Sequence, residues 1–424
     1  MFSHIVLNAL FVLSVVVIWF MLGYQFILCV AGWLYSHRAD RERRQLAQTP
    51  LALPRVSVLI PAHNEGIVLD ATLAAMAALE YPAGQLEIIV INDASTDATG
   101  SIADRWAQTN DRIRVMHLTA AERAGGKSAA LNRGLRHARY EAIAIYDADN
   151  TPAPDAVLEL ARQLAAHPDL GAVIGTFRTA NRQKNLLTRL INIEGLSYQW
   201  IVQAGRWMLM QVCTLPGTNL LIRRALLEQV GGWDESALTE DAELSIQIYE
   251  AGYKIKYVPY AVTWEQEPEK LSTWFRQRSR WARGNNYLVA KHIRRVLAIR
   301  PKRLGFELLY TLALYYVFFA AIVLSDGLFI GCALGLVRVP VPGPFAEVWV
   351  LALALFVVEV TLALSREDGE DSLPNILLTV FAYFTYCQLW IPVVLKGLYD
   401  DYVLRKARVW VKTERFAVAP KVTK

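Results

Sequence analysis

The sequence predicts an α/β domain with a doubly wound, largely parallel sheet, carried between apolar membrane segments at the two ends of the chain. Three observations predict it. Short runs rich in Val and Ile alternate with helical patterns between residues 50 and 150, the arrangement that folds with helices on both faces of a sheet. Apolar blocks long enough to cross a bilayer, about 20 residues each, stand at residues 5–35 and in the last third of the chain. Acidic clusters follow the ends of the strand runs, the edge at which doubly wound sheets hold ligands.

Composition sets the bounds. The 424 residues are enough for one large domain plus membrane segments. The chain is 54% hydrophobic, with the excess at its ends. A net charge of +5 suits an anionic membrane face or a phosphate ligand. No basic run with interleaved aromatics occurs, so nucleic acid is not an expected partner. Cys29, Cys213, Cys332 and Cys387 form no CxxC pair, which argues against a disulfide framework or a zinc site.

Taken in order, residues 1–36 are read as a transmembrane helix. The block is too long for a signal-peptide core, and no small-residue cleavage site follows it. His37, Arg38, Arg41, Arg43 and Arg44 come next, and the positive-inside bias assigns the domain after them to the cytoplasm. Residues 50–265 form the α/β unit, with strands at 55–60, 86–93, 113–118 and 141–149 and helices near 68–80, 97–109 and 127–139. The stretches 186–212 and 271–299 mix Trp, Tyr and Arg with aliphatics. That composition suits helices lying at a membrane surface or packed on the core. The second stretch falls in a segment taken as 266–303. A membrane region over 304–400 holds three apolar blocks, at 308–336, 345–365 and 373–398. If all three crossed, the basic tail over 401–424 would end outside, against the bias. The last block, interrupted by Pro392, is therefore expected to bend back or lie in the interface.

Four polar clusters carry the chemistry. Pro61-Ala62-His63-Asn64-Glu65 follows the first strand and Asp93-Ala94-Ser95-Thr96-Asp97 the second. Asp147-Ala148-Asp149 follows the fourth, and Thr239-Glu240-Asp241 precedes a later helix. Two Asp residues at i and i+2 on a strand end can hold a hard cation such as Mg²⁺ together with substrate phosphates, or can simply serve a turn. The sheet edge shared with other acids favours the first reading. Asp93 is read as a ligand for a nucleoside and Asp97 as a helix cap. Gly125-Gly126-Lys127-Ser128 opens a helix and is either a phosphate cradle or a plain loop. It lacks P-loop spacing. Asp241 could take a proton from a hydroxyl as general base. Gln277-Arg278-Ser279-Arg280-Trp281 offers a flat indole and a cation for a diphosphate, or anchors a surface helix.

In this order and combination, Asp93, the Asp147–Asp149 pair, Thr239-Glu240-Asp241 and Gln277-x-x-Arg280-Trp281 resemble the inverting family-two glycosyltransferases, specifically the processive membrane-bound branch that makes cellulose, chitin, hyaluronan and poly-N-acetylglucosamine. The resemblance covers about residues 50–300 and implies a nucleotide-sugar-binding domain of the glycosyltransferase A type. It implies that Ala62, Asn64, Glu65 and Asp93 bind uridine and that Lys127 lies in the nucleotide pocket. Asp149, with Asp147 beside it, is then the ligand of a Mg²⁺ or Mn²⁺ ion on the donor diphosphate, which Arg280 also contacts. Asp241 is the catalytic base. Gly217-Thr218-Asn219, Glu240, Gln277 and Trp281 belong to the acceptor site. Trp410, Thr413 and Arg415 resemble a segment that gates the bound nucleotide. The compact layout is closest to poly-N-acetylglucosamine and chitooligosaccharide synthases, so the expected partners are UDP-N-acetylglucosamine (UDP-glucose next), a growing glycan acceptor and the lipid bilayer of a bacterial-type inner membrane. Secretion-complex subunits are further partners that the resemblance allows. Fewer apolar blocks than in cellulose synthases leave open whether the chain alone forms a channel. The rival reading is transfer of one sugar to a lipid acceptor.

Overall fold

The computed structural model describes residues 2–295, 302–336, 345–407 and 416. Strands β1 (Val56–Ala62), β2 (Leu86–Asp93), β3 (Ile113–Leu118), β4 (Ala142–Ile145), β5 (Thr151–Pro152), β6 (Leu170–Thr179), β7 (Leu220–Arg223) and β8 (Lys254–Glu265) form one eight-stranded sheet in the order β3-β2-β1-β4-β7-β6-β8-β5. The half from β3 to β4 is parallel throughout, as the alternation of strand and helix predicts. The other half corrects that expectation. There β7 runs antiparallel to both β4 and β6, and β5 runs antiparallel to β8. The connection from β6 to β7 leaves the sheet through two helices and re-enters from the opposite end, so no right-handed crossover is imposed.

Helices α2 (Leu69–Ala77), α3 (Thr99–Thr109), α4 (Lys127–His137) and α5 (Ala156–Ala166) cover the parallel half. Val58, Ile60, Ile88 and Val90 point into one core with α2 and α5, while Leu59, Ile89 and Ile91 point into the other with α4. Burial on both faces explains why these strands read as unbroken apolar runs rather than as alternating ones.

The first helix, α1 (Phe2–Gln48), does not stop at the basic residues that follow the apolar block. It continues along the domain, where Glu42 accepts from Lys256 at 2.6 Å and Arg43 pairs with Asp155 at 2.8 Å and Glu159 at 3.0 Å. The stretch read as the first interface helix is α6 (Leu186–Ser197), a π-turn at Tyr198–Gln203 and α7 (Ala204–Met210). A Cβ on Gly32 would come within 2.0 Å of the Trp200 carbonyl oxygen, and one on Gly205 within 2.3 Å of that of Leu28. Two glycines thus let the backbones of α1 and this segment touch, the device of close helix pairs in membranes.

Helix α8 (Arg224–Val230) follows β7, and α9 (Glu240–Glu250) leads into β8. The second amphipathic stretch is α10 (Leu271–His292). Beyond it come α11 (Lys302–Leu312), α12 (Phe319–Ala333), α13 (Phe345–Leu364), α14 (Leu373–Phe384) and α15 (Trp390–Leu398). Among the described residues three segments are long and apolar enough to cross a membrane, namely Ile5–Gln48, Glu347–Leu364 and Leu373–Val403, and a shorter apolar helix spans Tyr316–Cys332. The last apolar block breaks between α14 and α15, about one turn before Pro392. Pro392 itself lies in the first turn of α15, where its missing N–H leaves no helical bond unmade. After α15 the chain returns to the α/β domain. Arg283 on α10 pairs with Asp401 at 2.8 Å and donates to the Lys406 carbonyl at 2.7 Å. The Gln266 side chain exchanges two hydrogen bonds with the Phe416 backbone, at 2.7 and 3.0 Å. The expected gating residues Trp410, Thr413 and Arg415 lie outside the described residues.

Candidate active site

The carboxyl ends of β1, β2 and β4, the start of α9 and one side of α10 enclose a cavity of about 900 Å³. Two turns form its outer wall. Asn64 and Ala94 both adopt positive φ, at 55° and 52°. The Asn64 carboxamide oxygen accepts from Thr96 N–H at 2.8 Å, and Asn64 N–H donates to Ser95 Oγ at 3.0 Å. Asp97 accepts from Gly66 N–H and from Thr99 N–H, both at 3.0 Å. It clasps the two turns and, from one residue before the N-cap position, satisfies the first N–H of α3. These bonds hold the turn at Asn64, and Ala62, Asn64 and Glu65 line the cavity.

Asp93 also lines the cavity, and its Oδ1 accepts from Ala124 N–H at 2.6 Å. It therefore holds the loop through Arg123, Gly125 and Gly126 that delivers Lys127 at the start of α4. Lys127 Nζ lies 2.5 Å from Asp147 and donates to the Gly217 carbonyl at 2.8 Å. Burial opposes the charge on this ammonium, and Asp147, Glu240 and Asp241 together outweigh that and raise its pKa. One lysine thus stands among three carboxylates.

Asp147 is 30% exposed and faces the cavity. Thr218 fixes it, because the hydroxyl accepts from Asp147 N–H at 3.1 Å and donates to Asn150. Asp149 is only 7% exposed and lies behind the wall, where its Oδ2 accepts from Gln266 N–H at 3.3 Å. Among the described residues no group of three His, Cys, Asp or Glu forms a complete metal cage. A carboxylate on the cavity wall, as Asp147 is, nevertheless suits Mg²⁺ or Mn²⁺, which keep water and phosphate oxygens in their shells.

Asp241 sits in the first turn of α9, with Oδ1 accepting from Ala242 N–H at 2.8 Å. Burial and the neighbouring Glu240 push its carboxyl up to about 7, against the opposing pull of that N–H, Lys127 and Arg280. A carboxylate poised near neutral pH is what a general base needs. Gly217 approaches it with φ of +81°, and a Cβ there would meet Asp241 Oδ2 at 3.0 Å. Gly217→Ala is therefore expected to cut turnover by roughly tenfold or more through backbone strain and displacement of the carboxylate, with UDP affinity changed less. Steady-state rates beside calorimetric UDP titration check this.

Gln277, Arg280 and Trp281 line the same cavity from α10, as do Thr218 and Glu240. Asn219 does not. It is fully buried, and its side chain bonds the Thr176 and Ala261 carbonyls and the Tyr146 hydroxyl, bracing β6, β8 and the end of β4. Sequence reading missed the far end of the cavity, where Phe177, Ile191, Glu194, Tyr198, Leu314 and Trp390 form the wall. These residues are scattered over four segments and belong to no spaced motif. Only the aromatic content of the 186–212 stretch hinted at them.

Comparison with known proteins agrees with this arrangement. A model described as "Glycosyltransferase like family 2" matches residues 54–284. A probable glycosyltransferase of Bacillus subtilis is 43% identical over 413 residues, covering 96% of this chain and 98% of its own. The poly-β-1,6-N-acetyl-D-glucosamine synthase of Staphylococcus epidermidis is 32% identical over 236 residues, 56% of each chain. In fold, the chain is similar to a mannosyltransferase from Pyrobaculum calidifontis solved with GDP-mannose and Mn²⁺, at a TM-score of 0.55, 24% identity and coverage of 90% of this chain and 99% of that one. The sheet has the glycosyltransferase A architecture, and the family match spans every strand and all four polar clusters, so the chain belongs to glycosyltransferase-like family 2 and is a glycosyltransferase.

Proposed function

We propose that this glycosyltransferase is an inverting, processive synthase that polymerises a sugar from a UDP-sugar donor, with UDP-N-acetylglucosamine first and UDP-glucose second. The observation that carries the reading is the continuity of one cavity. It runs from the Asn64–Asp93–Lys127 wall past Asp241 and Trp281 to the aromatic end at Tyr198 and Trp390, beside the apolar helices. A growing glycan needs such a lane directly beyond the bond-forming centre. The 32% identity to a poly-N-acetylglucosamine synthase supports the choice of donor.

In this mechanism the uridine rests on Ala62, Asn64, Glu65 and Asp93. The diphosphate lies near Lys127 and Arg280, both cationic and both able to stabilise charge as it develops on the leaving group. Asp147, which faces the cavity, would hold a Mg²⁺ or Mn²⁺ ion, and Asp149 would join it only by giving up its bond from Gln266 N–H; the ion when bound would supply Lewis-acid neutralisation of the diphosphate. The acceptor ring stacks on Trp281, with Gln277, Glu240, Gly217 and Thr218 around it. Asp241 takes the proton from the acceptor hydroxyl, whose oxygen attacks the anomeric carbon from the face opposite the UDP. Inversion then yields a β-linkage from an α-linked donor. The α/β domain is cytoplasmic, at a bacterial-type inner membrane, with the apolar helices crossing it or lying on it.

The apolar residues Ile191 and Leu314 at the far end also suit a lipid-linked acceptor, which gives the second reading. Purified protein offered UDP-N-acetylglucosamine, UDP-glucose or GDP-mannose with Mg²⁺ or Mn²⁺ separates the two. UDP release with products of many sugars is the expected result. A single sugar on a lipid would sink the polymerase reading, and turnover of GDP-mannose alone would sink the donor assignment.

A further inference from the structure

We infer that Glu194 is a positioning residue that holds the Trp281 indole in place for the acceptor, acting through Arg278. The inference rests on the reading of Trp281 as the acceptor plate. Arg278 and Trp281 are three residues apart on α10, so their side chains are neighbours on one helix face. The Arg278 guanidinium lies 3.9 Å from the centre of the Trp281 ring, and its side chain is only 4% exposed. A buried guanidinium demands a counter-charge, and Glu194 on α6 supplies it at 2.6 Å. The same carboxylate accepts from the Tyr386 hydroxyl at 2.8 Å and from Trp390 Nε1 at 3.0 Å. Tyr386 in turn accepts from Trp274 Nε1 at 2.9 Å, and Trp274 is fully buried. One carboxylate therefore ties α6 and α10 to the break between α14 and α15, through Tyr386, and to the start of α15, through Trp390.

The physical consequence is preorganisation. An indole on the wall of a 900 Å³ cavity has rotamers to lose when a sugar stacks on it. Holding it beforehand removes that loss from binding. A planar guanidinium can stack beneath an indole as an ammonium cannot, and charge-assisted bonds fix the guanidinium's plane. The carboxylate itself takes no part in proton transfer in this scheme, which uses Asp241. Its effect should appear in acceptor binding rather than in the chemical step.

The test uses the full chain in detergent, with UDP-N-acetylglucosamine saturating and short N-acetylglucosamine oligomers as acceptor. Glu194→Gln is expected to raise the oligomer KM by about tenfold, a larger change than it makes in kcat. Arg278→Lys keeps the charge but loses the stacked plane, so the same rise is expected. In a Trp281→Ala background, Glu194→Gln should add nothing further, because both changes act on one contact. Independent, multiplying effects in the double variant, or a fall in kcat at unchanged KM, would overturn the inference. If the unaltered protein shows no oligomer-dependent turnover, the glycan reading of the cavity fails instead. Near-ultraviolet circular dichroism in the tryptophan region then still decides the positioning claim. Glu194→Gln should lose the same contribution that Trp281→Phe removes, and an unchanged spectrum overturns it.

Discussion

Asp241→Asn is expected to lower sugar transfer by about 10³-fold or more, with UDP affinity within about twofold. The asparagine keeps the volume and the bond from Ala242 N–H, but cannot accept the acceptor's proton. The effect is large because the acceptor's proton has no other destination in the proposed mechanism. Glu240 is the adjacent acid on the same turn, and the Lys127 ammonium feels both carboxylates. The pH dependence sharpens the prediction. Burial and Glu240 raise the Asp241 carboxyl to about 7, so below that pH it is neutral and inactive as a base. In the free enzyme, kcat/KM should rise with pH through about 7 and then level off. An ordinary aspartate would already be ionised near pH 4, so a limb at that value would contradict the assignment. Removing the neighbouring charge by Glu240→Gln should move the limb to lower pH. Normal turnover in Asp241→Asn would remove the base from the mechanism altogether.

Asp147→Asn is expected to weaken cation-dependent UDP binding on the order of 100-fold, the worth of losing a charge-assisted contact. Asp147 is the member of the pair that reaches the cavity, whereas Asp149 bonds the Gln266 backbone from behind it. The Lys127 ammonium at 2.5 Å adds a competing effect. Freed from Asp147, it can turn to the diphosphate and recover part of the loss without any cation. Calorimetric titrations of UDP with and without Mn²⁺ distinguish the two contributions. The unaltered protein should bind more tightly with Mn²⁺, and the variant should show little difference. Equal Mn²⁺ dependence in both would shift the ligand role to Asp149, with Asp149→Asn as the next measurement.

Much of this site was legible in the order of residues. The strand ends at Asn64, Asp93 and Asp147 are marked by apolar runs that stop abruptly at polar turns, and a parallel half-sheet brings such ends to one edge. Other parts were not legible. The direction of β7 depends on how the segment between β6 and β7 returns to the sheet, and no local pattern encodes that. Asp147 and Asp149 are equivalent in sequence, yet one reaches the cavity and the other turns to Gln266, because the chain leaves β4 at Ile145 and curls around the Thr218 hydroxyl. Asn219, next after the cavity residues Gly217 and Thr218, spends its side chain on three partners inside the sheet.

The sequence by itself determined the family, the acid set and the amphipathic helix that carries Gln277, Arg280 and Trp281, because each rests on local spacing and periodicity. Only the tertiary structure decided which face each acid presents, that α15 returns against α10, and that Glu194, Arg278 and Trp390 meet beside Trp281. Those contacts join residues up to 196 positions apart. Long-range pairing of this kind depends on how helices pack around the finished sheet, which no short window of sequence contains.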